Sequence, residues 1–252
     1  MRAPRAALAT YAGLLVVSVA AWAAVLRAPM GADDMAGMQM VMTPTVADAA
    51  AYVAAWSVMM AAMMLPSAMP MIGLYAATQR SVPSPFARTV SVAGFAATYL
   101  TLWAASGLPI YVASLALMAV RPAVLAYITA GVLVVGGLFQ FSRLKQVCLR
   151  HCRSPLGFLM GHWRAGWRGG LAMGWAHAWY CFGCCWALMV VLVVAGAMGL
   201  PWVLLIACVV AAEKLVPGGE WIARAIGVAL VALGVAVAVH PGLATALRGA
   251  AA

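Results

Sequence analysis

GLAMGWAHAWYCFGCCWALMVVLVVAGAM, residues 170–198, runs for 29 positions without an Asp, Glu, Lys or Arg. As an α-helix rising about 1.5 Å per residue it is about 44 Å long, more than the roughly 30 Å of hydrocarbon that a spanning helix must cross. Six further charge-free or nearly charge-free runs flank it, at residues 8–26, 49–77, 89–118, 123–142, 200–216 and 221–240. The pattern predicts an all-α fold: a polytopic membrane helix bundle of about seven transmembrane helices, built as one integral membrane domain over residues 1–252. Pro66 and Pro70 are expected to break the second run. Gly107 and Pro109 are expected to interrupt the third, with a re-entrant piece at Pro109 as an alternative. Gly131, Gly136 and Gly137 in the fourth fit close helix packing.

Composition agrees with this reading. Of 252 residues 67% are hydrophobic and 8% charged, with a mean hydropathy of +1.03, so water is not the main solvent of the chain. The formal charge of +10 would point to nucleic acid in a soluble protein, but in so apolar a chain it marks cytoplasmic loops; no nucleic-acid partner is expected. With the amino terminus in the cytoplasm, the inner segments hold 12 of the Lys and Arg residues, and the outer ones hold Arg27, Arg121 and Arg248. The carboxyl terminus then lies outside, residues 27–48 form a Met-rich outer loop, and residues 143–169 form a basic inner loop. Arg2 and Arg5 ahead of an apolar run also fit a signal peptide with Ala21-Trp22-Ala23 as its cleavage site, whose removal would leave the remaining pattern intact. The expected location is the bacterial inner (plasma) membrane, crossed several times, with the lipid bilayer as first partner. Six cysteines are too few for a disulfide scaffold. Walker, dinucleotide-fingerprint and Gly-x-Ser-x-Gly motifs do not occur.

Chemistry concentrates in the opening stretch. At about 100° per residue, Met173, His177, Cys181, Cys184 and Cys185 fall within one arc of about 120°, so a single helix face carries imidazole and sulfur donors. Such donors suit a soft transition metal, and thioether sulfur favours Cu(I). An ionisable group inside a membrane is a functional candidate by default. The second run places Met59, Met60, Met63, Met64, Met69 and Met71 within 13 positions; Met60, Met63 and Met64 are candidate ligands, although methionine is also an ordinary filler of apolar gaps. Cys208 lies at the middle of the sixth run. Glu213 and Lys214, near its inner end, read either as an anchoring ion pair involving Lys214 or Arg224 or as an ion relay.

A second candidate set lies on the inner loop: Cys148, His151, Cys152 and His162. Two thiols spaced Cys-x3-Cys share one side of a helical turn, and His162 would complete four ligands. Metal hand-over, a fixed site, plain packing and an interfacial amphipathic segment are the competing readings. As loop residues, Cys148 and Cys152 are expected to react with aqueous thiol reagents while Cys181, Cys184 and Cys185 do not. The outer loop adds Met30, Met35, Met38, Met40 and Met42 beside Asp33 and Asp34, donors that survive in an oxidising compartment.

Several blocks carry a resemblance over about Ala55 to Gly227. They are Trp56 through Met64-Leu65-Pro66; Cys148-Leu-Arg-His-Cys152-Arg-Ser-Pro155; Gly174 through His177; Tyr180-Cys181; Gly183-Cys184-Cys185-Trp186 through Met189; Met198; and Glu213-Lys214 through Pro217. On these the chain resembles the bacterial family described as predicted metal-binding integral membrane proteins. The resemblance implies a membrane bundle that holds metal through His and Cys, and the Met-rich outer loop is not part of it.

Residues and resemblance together predict a membrane protein binding a transition metal ion, copper favoured over zinc or iron, at a His/Cys/Met site near the midplane. The site would serve transport or delivery to a metal chaperone or metalloenzyme partner. Two other readings stand beside it: a membrane oxidoreductase in which Cys181-x-x-Cys184 or a bound metal exchanges electrons with a quinone, and an assembly factor that shelters metal.

Overall fold

The computed structural model describes residues 3–27, 45–79, 82, 84–164, 166–194 and 199–249. Arg2, Arg80, Met198 and the outer-loop methionines and aspartates lie outside the described residues. Among the described residues there are ten helices and no strand. The helices are α1 (Ala3–Arg27), α2 (Val46–Thr78), α3 (Pro85–Met118), α4 (Pro122–Phe139), α5 (Arg143–Arg153), α6 (Pro155–His162), α7 (Gly166–Val194), α8 (Leu200–Leu215), α9 (Gly219–Val239) and α10 (Gly242–Gly249).

Six of them, α1, α2, α3, α4, α7 and α9, are long and apolar enough to cross a membrane. The expected run at residues 200–216 is also helical, but α8 has 16 residues and is about 24 Å long, short of the hydrocarbon thickness. The inner loop is not irregular: residues 143–162 form α5 and α6.

Local signals start the helices. Thr45 and Asp48 form a reciprocal capping box at α2, with Thr45 N donating to Asp48 Oδ2 at 2.8 Å and Asp48 N to Thr45 Oγ1 at 3.2 Å. Ser84 and Ser142 cap α3 and α5, and Pro85 and Pro122 occupy first-turn positions where no N–H is needed.

The expected breaks are absent. α2 continues through Pro66 and Pro70, and α3 through Gly107 and Pro109, with no re-entrant piece. Side-chain donors also reach backbone carbonyls along both helices. Trp56 Nε1 and Ser106 Oγ both donate to Trp103 O, at 3.0 and 2.6 Å, and Ser67 Oγ donates to Met64 O at 2.9 Å.

α2 is central, packing against α1, α3 and α8, and buries Trp56, Met59, Met60, Met63, Met64 and Met71. α3 lies along α7 with a close approach at Gly174, where a Cβ would collide with the carbonyl of Phe95 and the hydroxyl of Thr98. α4 pairs with α9, and Gly137 meets the backbone of Gly227 there; Gly131 faces open space instead of a packed neighbour. α5 turns its Lys145, Cys148, Leu149 and Cys152 inward, one helical stripe that packs on α7 rather than on lipid.

Candidate metal site

α7 presents the predicted face to the interior: Met173, His177, Cys181, Cys184 and Cys185 are all buried. Their surroundings come from five other helices. From α3, the Tyr99 hydroxyl lies 3.1 Å from Cys181 Sγ and 3.3 Å from Met64 O of α2. From α8, Lys214 Nζ lies 3.0 Å from Cys181 Sγ and 3.2 Å from Ser67 Oγ of α2. From α5, Cys152 Sγ stands 3.9 Å from Cys184 Sγ, and Cys184 Sγ is 3.3 Å from Cys185 Sγ and 3.1 Å from Cys181 O.

Four sulfurs, one ammonium and one phenol therefore meet in a space closed to solvent. The sulfurs touch one another rather than ringing a vacancy: among the described residues no three His, Cys, Asp or Glu side chains converge on a point that would hold a metal ion. That geometry lacks the closed tetrahedral set of a structural zinc site. It leaves pairs of thiols, which a soft monovalent ion prefers.

His177 belongs to an aromatic cage. Its ring stacks on Tyr99 at 5.5 Å and 24°, lies 5.9 Å from Phe95, and meets Phe158 of α6 edge-on at 5.5 Å. Its Nδ1 has no hydrogen-bond partner among the described residues. Met60, Met63 and Met64 are fully packed in the same core, where Met64 contributes its carbonyl to Tyr99. Cys208 is exposed on α8 and does not face the cluster.

The inner-loop set divides. Cys148 and Cys152 are buried at 7% and 8% exposure, which overturns their expected accessibility to water. Cys148 fits because α7 has Gly183 opposite it, where a Cβ would stand 2.6 Å from its Sγ. Burial pushes the Cys148 thiol above its ordinary range. The Cys152 thiol is held well above it, chiefly by its hydrogen bond to Cys181. His151 and His162 turn elsewhere. His151 stacks on Tyr180 at 4.2 Å with Nδ1 on Val147 O, and His162 stacks on Phe158 at 4.6 Å with Nδ1 on Phe158 O. Neighbours on a helix diverge by about 100°, so His151 cannot share the direction of Cys152.

The expected pairing of Glu213 with Lys214 or Arg224 is also corrected. Glu213 Oε2 pairs with Lys145 Nζ of α5 at 2.6 Å, both side chains almost fully buried, while Arg224 lies over the Trp221 ring at 4.8 Å. Adjacent Glu213 and Lys214 point to different partners for the same helical reason. Arg153 Nη1 donates to Glu213 O at 3.1 Å, tying the end of α5 to α8.

Sequence reasoning missed Tyr99, Lys145 and the inward role of Lys214. The 145, 148, 149, 152 spacing could have revealed Lys145 as part of a buried stripe; for Tyr99 no local signal existed.

A family model, PpoB2, described as a copper chaperone, matches residues 53–237, a span that holds every residue of this cluster. Comparison with the curated proteins and with the solved structures gives no match.

Proposed function

We propose, from the premise that the chain belongs to the PpoB2 copper chaperone family, that it is a multi-pass protein of the bacterial inner membrane. There it holds Cu(I) between buried thiolates and passes it to a metalloenzyme or metal chaperone partner. The contact of Cys152 with Cys184, 3.9 Å apart on separate helices and beside the Lys214–Cys181 pair, carries this reading.

Copper is the cargo here. Thiolates bind cuprous ion strongly and reject hard cations, and a cluster dominated by sulfur gives calcium or magnesium little to prefer. Cys152, Cys181 and Cys184 supply the sulfur pairs that would need least movement to take up the ion. The Lys214 ammonium and Tyr99 hydroxyl stabilise negative charge on Cys181 inside a low-dielectric interior. Met60, Met63 and Met64 form an adjoining soft wall, and His177, held by its aromatic neighbours, offers the unpartnered Nδ1.

Two helices make hand-over feasible. Cys152 sits on the short α5, whose separation from α7 would open the Cys152–Cys184 pair without unpacking the long helices. Delivery therefore fits the arrangement better than conduction along a pore.

The test is elemental analysis with X-ray absorption on protein purified without a polyhistidine tag. Copper in a sulfur-dominated shell is expected, and it should vanish in Cys181→Ser and Cys184→Ser. A metal-free protein whose Cys181 and Cys184 oxidise and reduce reversibly with a quinone would replace this reading with the oxidoreductase.

A further inference from the structure

Lys214 is an unusual neighbour for a metal site. Its Nζ touches Cys181 Sγ and Ser67 Oγ, it is 6% exposed, and the one salt bridge among the described residues joins Lys145 to Glu213 instead. The Lys145–Glu213 pair cancels its own charge. Among the described residues no carboxylate is in salt-bridge contact with Lys214, which therefore brings one positive charge to the sulfur cluster.

We infer that Lys214 is a specificity-determining residue: its fixed positive charge makes the loaded site neutral with a monovalent ion and leaves it charged with a divalent one. The inference rests on the copper reading above. Two thiolates around Cu(I) bear a single negative charge, which the ammonium cancels. The same thiolates around Zn(II) are neutral, so the ammonium stays uncompensated in a site closed to water, where an unpaired charge is strongly disfavoured. Zinc could restore neutrality by recruiting a third thiolate. Among the described residues no three such donors are placed to hold one ion, so that route requires side chains of the packed cluster to move.

Softness alone already favours copper on thiolates. Lys214 adds a second discrimination based on ionic charge, and the two are separable by substitution. Lys214→Gln keeps polar atoms near Ser67 and Cys181 but removes the charge; Lys214→Arg keeps the charge in a different shape.

The experiment loads purified, reduced protein with Cu(I) and Zn(II) in competition and reads metal content together with the copper-edge coordination shell. Wild type and Lys214→Arg should keep the full preference for copper, with two sulfurs around the ion. Lys214→Gln should lose at least about tenfold in the Cu(I)-to-Zn(II) ratio, which is about 1.4 kcal/mol. An unchanged ratio in an inserted, helical Lys214→Gln protein overturns the inference. If that variant fails to insert, the wild-type shell decides: two sulfurs support the charge balance and three overturn it. A wild type that takes up no copper at all sinks the copper reading itself, and is thereby distinguished from failure of Lys214 alone.

Discussion

Lys214 directs its ammonium at the sulfur of Cys181, 3.0 Å away, from a helix whose preceding residue faces the opposite ion pair. One helical step on α8 thus separates the partner of one buried cation from the other cation: Glu213 neutralises Lys145 and ties α5 to α8, while Lys214 serves the thiols. Substitutions on the two sides of that division should act differently, on copper in one case and on stability in the other.

Copper content should fall in a defined order. Cys181→Ser, Cys184→Ser and Cys152→Ser each remove a donor from a sulfur pair and should lower bound copper at least about tenfold. Met64→Leu keeps volume and apolarity and should cost a few-fold at most. Equilibrium loading with Cu(I) and elemental analysis gives the ranking. A Met64→Leu loss as severe as that of the cysteine variants would move the site to α2.

Cys148 and Cys152 should resist alkylation. Both are buried with thiol pKa values raised above the ordinary range, so little thiolate is present at neutral pH. In inverted vesicles a maleimide should modify them at least about tenfold more slowly than free glutathione. Rates equal to that of glutathione would show that α5 does not pack on α7 in the membrane.

Breaking the Lys145–Glu213 pair should be costlier than deleting it. Glu213→Gln leaves a buried ammonium unpaired and should destabilise the protein by about 3–5 kcal/mol, whereas Lys145→Met with Glu213→Leu should recover most of that loss. Thermal unfolding in detergent compares the two. Equal destabilisation would mean that the carboxylate acts through something other than Lys145.

Gly174→Ala should loosen the α3–α7 contact, because its new methyl group meets the Phe95 backbone as well as the Thr98 hydroxyl, and the backbone cannot rotate away. A loss of about 1–3 kcal/mol is expected, with weaker copper retention as Tyr99 withdraws from Cys181. Stability and copper content equal to wild type would place the two helices further apart than described.

The Lys and Arg distribution predicts an internal amino terminus and an external carboxyl terminus, with the short α8 completing a seventh crossing. A reporter active only outside the inner membrane, fused after the last residue, should give strong activity. Activity of a cytoplasm-specific reporter at the same position would reject that topology.

Much of this protein could be read along the chain. Long charge-free runs have few alternatives to helices, because a backbone removed from water must satisfy its own hydrogen bonds. The periodicity of His177, Cys181 and Cys184 put them on one face because helix geometry is local. What the chain by itself left open was every relation between distant residues. That α2 and α3 continue as helices through their prolines was not legible along the chain, where a proline reads as a break. That Cys152 joins Cys184 while His151 turns to Tyr180, that Glu213 selects Lys145, and that Lys214 reaches Cys181 all depend on how α5 and α8 dock against α7. Docking is decided by volume and close approach, at places such as Gly174 and Gly183, and by the need of each buried charge for a partner. Those quantities belong to the packed molecule, since a helix taken alone shows which side chains share a face but not what that face meets.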